Sequence, residues 1–279
     1  MPFMRSIFLL TLSFCDYYSG GYGQTAISFH TVMKTGNVYR QTVQTETTIA
    51  LNVDDLSQEL KDAIQNNPMT ANMFKKQQML IETETRCGQP DAVTGLMPVR
   101  MKVTRDTGAM IAEVLPVGTN FYGHVSPGKL PVFDSTDIKG GTQMQSMLAR
   151  MKNISAGIAF PDTTLSVGQT YTQVIPIDMP GGGMNMKMLM TQTYTLTGFS
   201  ADTAGFDVKV KGTLDTGAAE LPITGAAEGE GHLVYDRKNN FPTDNQLNVL
   251  MAMVITQGGN SMRMDIHSNQ LTHVVISKE

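Results

Sequence analysis

The chain has 279 residues, 41% hydrophobic and 16% charged, a balance that supplies apolar material for a sizeable core and excludes global disorder. Its net charge is −4 with lysines and arginines scattered along the sequence, which excludes the basic stripe that a nucleic-acid backbone requires. Charged residues are few while Thr, Gly and Met are abundant, so strand and turn are favoured over helix and a mainly β (α+β) fold is expected.

The opening stretch MPFMRSIFLLTLSF places Arg5 ahead of an apolar run over 6–14 that is too short to span a bilayer, the pattern of a signal peptide. Gly21 and Gly23 put small residues at −3 and −1 if cleavage leaves Gln24 first. Residues 1–23 are therefore read as a leader, and the protein as exported, periplasmic or extracellular. LSFC suggests a second form, lipid-anchored through Cys15, although Phe14 stands where lipoprotein processing normally has a small residue. No later segment approaches roughly eighteen consecutive apolar residues, so no membrane-spanning helix is expected. Cys87 is then the mature chain's single thiol, and RCGQPD around it carries no signature of a catalytic cysteine.

Next come TGNVYRQTV from Thr35 and QTVQTETTIAL, an extended run opened by a glycine turn. DDLSQELKDAIQNNPMTANMFKK, 54–76, predicts a helix: Asp54 or Asp55 can cap it, Leu56, Leu60, Ala63 and Ile64 share a face, and Pro68 ends or kinks it. MLIETETR, VRMKVTRDTGA and FYGHV return to extended patterns. GTQMQSMLARMKN, 141–153, is a second helix by its spacing of Met144, Met147, Leu148 and Met151. VGQTYTQVI, MNMKMLMTQTYTL, FDVKVKGTLDTGA, GEGHLVYD, VLMAMVIT and MRMDIHS complete the strands, with QGGN as a hairpin loop.

These landmarks recur in order. Gly36 with Tyr39 matches Gly168 with Tyr171, the DTG at Asp106 matches that at Asp215, and Gly123-His124 matches Gly231-His232. The later pairs are offset by 215 − 106 = 109 and 232 − 124 = 108, the first by 168 − 36 = 132, which places an insertion where the 54–76 helix lies. The expected organisation is a first half over 24–140 carrying that insertion, a connecting helix over 141–153 and a second half over 154–279. The architecture is curved antiparallel sheet from two duplicated halves, with about two helices packed over one side.

Methionine occupies 184, 186, 188 and 190, so Met184, Met186, Met188, Met190 and Tyr194 share one face of a strand, and Met262 and Met264 repeat the pattern near the C-terminus. Methionine fills irregular space and adapts to changing partners, so this face reads either as core or as the lining of an apolar-ligand site.

The leader ending GYGQ, the Lys34-x-Gly36-x-x-Tyr39 start of a Thr- and Gln-rich strand, and FPDTTLSVGQTYTQ with Phe160, Pro161, Val167 and Gly168 resemble an uncharacterised family of secreted or lipid-anchored proteins of Bacteroidetes-type bacteria. A tryptophan common in that family after the second glycine is replaced here by Tyr171, and the resemblance brings no catalytic residues with it. At greater distance the expected sheet looks like periplasmic half-barrel lipoprotein carriers, an analogy of fold alone.

Few residues in the chain carry a chemical signature. The five histidines form no H-E-x-x-H and no zinc-spaced cluster; His124 and His232 stand out only because both follow a glycine at matching points. SPGK at 126–129 matches S-x-x-K in letters but Pro127-Gly128 predicts a turn, and each DTG reads as a hairpin turn. No catalytic residue, metal or cofactor is expected. The first reading is an exported, non-enzymatic protein that binds an apolar small molecule or an envelope protein partner. The alternatives are a structural or surface-interaction module, and a hydrolase without a recognisable motif.

Overall fold

Runs in which Thr, Val, Ile and Gln alternate cannot build a helical apolar stripe, yet when extended they give one face to a core and the other to water. The computed structural model describes residues 26–52, 76–107, 116–126, 131–137, 160, 162–181, 184–215, 223–257 and 260–279, with isolated positions 58, 61, 62, 66, 129 and 148. Within them the runs form β1 (Ile27–Phe29), β2 (Asn37–Asn52), β3 (Gln77–Cys87), β4 (Met97–Thr107), β5 (Asn120–Val125) and β6 (Val132–Thr136). There follow β7 (Thr163–Leu165), β8 (Thr170–Gly181), β9 (Met184–Phe199), β10 (Thr203–Asp215), β11 (Ile223–Asp236), β12 (Phe241–Gln257) and β13 (Asn260–Lys278).

Eleven of these strands make one antiparallel sheet in the order β6-β5-β4-β3-β2-β13-β12-β11-β10-β9-β8. It is two meanders joined edge to edge, because β13 continues past β12 and pairs with β2 from Arg263↔Asn52 to Lys278↔Asn37. β1 and β7 form a separate two-stranded sheet. Both precede a glycine turn: Gly36 and Gly168 have φ of 72° and 85°, and the turns close through Asn37 N–H to Lys34 O (3.2 Å) and Gln169 N–H to Ser166 O (2.9 Å). Only glycine adopts that φ without strain, as a type II turn requires at its third residue.

Most large buried side chains of the described residues lie toward one face, here the core face; Val38, 2% exposed on the other face of β2, is an exception. One cluster gathers Phe29, Phe160, Met188, Leu196, Phe206 and Tyr235 over β8 to β11; the other gathers Met33, Tyr39, Val99, Val103, Phe121 and Leu148 over β2 to β5. Phe29 meets Phe206 and Tyr235 edge-on at 5.1 and 5.3 Å, so β1 closes the first cluster.

One expectation changes. Asp106 and Asp215 are not turn residues: Asp106 pairs with Ile81 inside β4, and Asp215, paired with Lys187, is the last residue of β10. Hydrogen-bonded pairing thus runs further along these strands than the DTG signal suggests. The helices expected over 54–76 and 141–153 lie outside the described residues except for isolated positions, of which Leu148 is helical and buried in the second cluster. Lys129 N–H bonds Ser126 O at 3.0 Å, a turn closure across the S-x-x-K letters.

Candidate functional site

Antiparallel partners point to the same face, so the register gives the rows of side chains that cross the core face. One row reads Met188, Leu214, Gly225, Met253, Met264 and Leu51 across β9, β10, β11, β12, β13 and β2. The next reads Met190, Gly212, Ala227, Met251, Ile266 and Ile49, again on those six strands. Further along β13 and β2 the same face turns polar, with Ser268 opposite Thr47, Gln270 opposite Thr45 and Thr272 opposite Val43. This polar band separates an apolar end of the face from the second core cluster.

Of the residues singled out in the sequence, Met188, Met190, Tyr194, Met262 and Met264 fall on this face but do not form one site. Met188, Met190 and Tyr194 are fully buried in the first cluster. Tyr194 packs edge-on against Phe160 at 5.4 Å and donates its hydroxyl to Gln192 Oε1 at 2.7 Å. Met184 and Met186 continue β9, opposite Gly181 and Met179. Met262 and Met264 lie four strands away on β13, half-buried and belonging to neither cluster. Their neighbours are Ile49, Leu51, Met253 and Ile266, equally half-buried; Ile266 continues the MRMDIHS alternation, while Ile49, Leu51 and Met253 lie in the alternating runs QTVQTETTIAL and VLMAMVIT. Together these six make a part-buried apolar patch over β2, β13 and β12.

Glycines shape the sheet beside it. On β11 an added Cβ at Gly229 would stand 2.5 Å from Asn248 O, and one at Gly231 would overlap Gln246 O. The backbone of β12 therefore approaches β11 on the core side so closely that no side chain fits.

Polar oxygens on the core face are also unusual. Thr83 Oγ1, Asn245 Oδ1 and both carboxylate oxygens of Asp106 are out of contact with solvent and meet no partner among the described residues. A register shift between Glu82 and Thr83 turns Asp106 to this face, and burial raises its pKa above the ordinary aspartate value. Cys87, buried in the second cluster, has its thiol pushed up to about 11 by burial, which suppresses the reactive thiolate.

His124, His232 and His273 are on the outer face of the large sheet. His124 Nδ1 lies 3.3 Å from Asp134 Oδ2, His232 Nδ1 2.8 Å from Asp207 Oδ1 and His273 Nδ1 2.5 Å from Asp244 Oδ1. The carboxylate partners of His124 and His232 were invisible in sequence because they sit on neighbouring strands. A carboxylate that accepts from Nδ1–H fixes the tautomer and leaves Nε2 as the basic nitrogen. Among the described residues no group of three or more His, Cys, Asp or Glu converges on a metal position, and no helix is long and apolar enough to cross a membrane. The chain matches no protein-family model and no curated protein.

Proposed function

We propose that the protein is an exported, non-catalytic binding protein of the cell envelope that holds an apolar small molecule against the core face of its large sheet. The observation that carries this reading is the part-buried apolar patch of Ile49, Leu51, Met253, Met262, Met264 and Ile266, outside both core clusters, on three adjacent central strands. Methionine adapts its shape to a variable apolar partner at little cost, and half of this patch is methionine. The signal-peptide pattern of residues 1–23 supports export, and Cys15 offers an anchored form. The matching glycine turns that open β2 and β8 support descent of the two meanders from one duplicated unit.

Native mass spectrometry after gentle purification, followed by titration with a fluorescent fatty acid, tests the binding. A retained mass or saturable fluorescence is the expected result. A chain that carries no extra mass and leaves the probe free refutes the reading and favours a structural module. That competing reading draws support from the solid packing of Met188, Met190 and Tyr194, which shows that methionine on this face also serves as ordinary core.

A further inference from the structure

The outer face of β2 to β5 collects cations that the sequence scatters. Register places Arg40, Glu84, Lys102 and Asn120 in one row across the four strands, and Val38, Arg86, Arg100 and Tyr122 in the row beside it. Glu84, Arg86, Arg100 and Lys102 line a depression of about 180 Å³. A water molecule's share of liquid volume is roughly 30 Å³, so a polyatomic ion fits with part of its hydration shell.

The charges in this depression are unequally satisfied. Glu84 accepts from Arg86 Nε at 2.8 Å and from Arg40 Nε at 3.1 Å, and these guanidinium partners, Arg86 first, hold its carboxyl below the usual glutamate range. Arg86 also reaches Glu279 Oε1 at 2.6 Å. Arg100 is fixed differently: its Nε donates to Asn120 Oδ1 at 2.9 Å, while Asn120 donates Nδ2–H to Asp137 Oδ2 at 2.5 Å and its backbone N–H to Asp137 Oδ1 at 2.9 Å. That chain of bonds orients the guanidinium without giving it a carboxylate of its own. Lys102 makes no ion pair with any described residue. Four cations, Arg40, Arg86, Arg100 and Lys102, therefore gather around two carboxylates, Glu84 and Glu279, and both carboxylates are bonded to Arg86 rather than to Arg100 or Lys102, on a protein whose net charge is −4.

We propose that this depression is an oxyanion site for a phosphate-type group, held by the free edge of Arg100 and the ammonium of Lys102 with Arg86 on its flank. A guanidinium already oriented by its Nε offers Nη donors in a planar fork that matches two oxygens of a phosphate, and a lysine adds a point charge without demanding geometry. Tyr122, 40% exposed in the position next to Arg100 on β5, supplies an aromatic ring for the body that bears the phosphate. This site lies on the face opposite the apolar patch and stands independently of the function proposed above.

A phosphate group could come from a free phosphorylated solute or from a phospholipid headgroup, and two arms of one experiment separate them. The full mature chain is titrated with inorganic phosphate at low ionic strength, followed by amide chemical shifts. In parallel it is sedimented with vesicles of phosphatidylglycerol or of phosphatidylcholine. Arg100→Gln, Lys102→Met and, as a control on the outer face of β10, Lys211→Met are compared with the wild type. Saturable phosphate binding, weakened by about tenfold or more in the first two variants and unchanged in the third, is expected, since each removes a charge-assisted bond. Binding to phosphatidylglycerol vesicles alone with the same variant dependence supports the site and assigns the lipid source. Absence of both, or equal binding by the wild type and Lys102→Met, overturns the proposal. Lys102 belongs to no described hydrogen-bond network, so its removal tests the site even if Arg100→Gln fails to fold.

Discussion

The Tyr235 hydroxyl on β11 donates to the carbonyl oxygen of His30 at 2.5 Å and accepts the His30 N–H at 3.3 Å. One side chain thus satisfies both backbone groups of the residue that leaves β1, while its ring covers Phe29 at 5.3 Å. Tyr235→Phe keeps the packing and strands both groups, so it should destabilise the fold by about 1–3 kcal/mol. Urea unfolding of the pair measures it; a loss within experimental error would mean that water replaces the hydroxyl and that β1 is not held by this bond.

Burial of tyrosines also gives the protein an alkaline limit. Burial pushes Tyr194 up to about 12, and burial likewise raises Tyr39 and Tyr235 above the ordinary value. An unfolded tyrosine ionises near about 10. Above that pH the unfolded chain holds fewer protons than the folded one, so stability falls as pH rises, by at most about 1.4 kcal/mol per pH unit for each such tyrosine. The stabilisation is complete below about pH 10 and is lost progressively as pH rises through the folded value near 12. Urea midpoints should hold from about pH 8 to about pH 10 and decline above it, and Tyr194→Phe should make the decline shallower. An equal slope in the variant would show that Tyr194 ionises as freely folded as unfolded.

Alternation was enough to locate the long strands, because a period of two survives any tertiary context that leaves one face buried. QTVQTETTIAL lies in β2, MRMDIHS in β13 and the methionine run in β9. The glycine turns at Gly36 and Gly168 were legible for a related reason, since a required positive φ leaves a residue-type signature. Register was not legible. The pairing of β13 with β2, which decides that Met264 neighbours Leu51 and sits four strands from Met188, has no local signal. For the same reason Arg40, Arg86, Arg100 and Lys102 read as scattered, although three adjacent strands bring them together. Asp106 reads as a turn because a DTG triplet does not encode how far β4 stays paired with β3, and the one-residue bulge beside it then decides which face its carboxylate takes.

The glycines of β11 provide a test of the sheet's geometry. Gly231→Ala would drive its methyl into the Gln246 carbonyl and to 3.0 Å from Leu247 Cα, both backbone atoms that cannot rotate away. A loss of about 1–3 kcal/mol is expected. Gly198 on β9 has open space where its Cβ would be, so Gly198→Ala should lie within about 0.5 kcal/mol of the wild type. Thermal unfolding of the two variants compares them under one condition. Equal effects would mean that β11 and β12 separate readily and that the close approach does not constrain the sheet.

The methionines divide the binding reading from the structural one. Met188 is 2% exposed, with Met190 and Leu214 as core-face neighbours, so Met188→Ala should empty a packed site at a cost of about 2–5 kcal/mol whichever reading holds. Met264 is half-buried opposite Leu51 and Met253, and its truncation should cost less, under about 1.5 kcal/mol, because little packed volume is lost. Replacing Met264 with Phe should be tolerated for the same reason, since a part-buried position outside both core clusters accepts added volume more readily than a closed one. If the patch holds an apolar ligand, that ring occupies the ligand's space, and uptake of the fluorescent fatty acid should fall while the melting temperature stays near that of the wild type. A Met264→Phe protein that melts normally and binds the probe as before would remove the patch from the binding site. One that unfolds as readily as Met188→Ala would place Met264 in a closed core, where an adaptable side chain fills space and carries nothing.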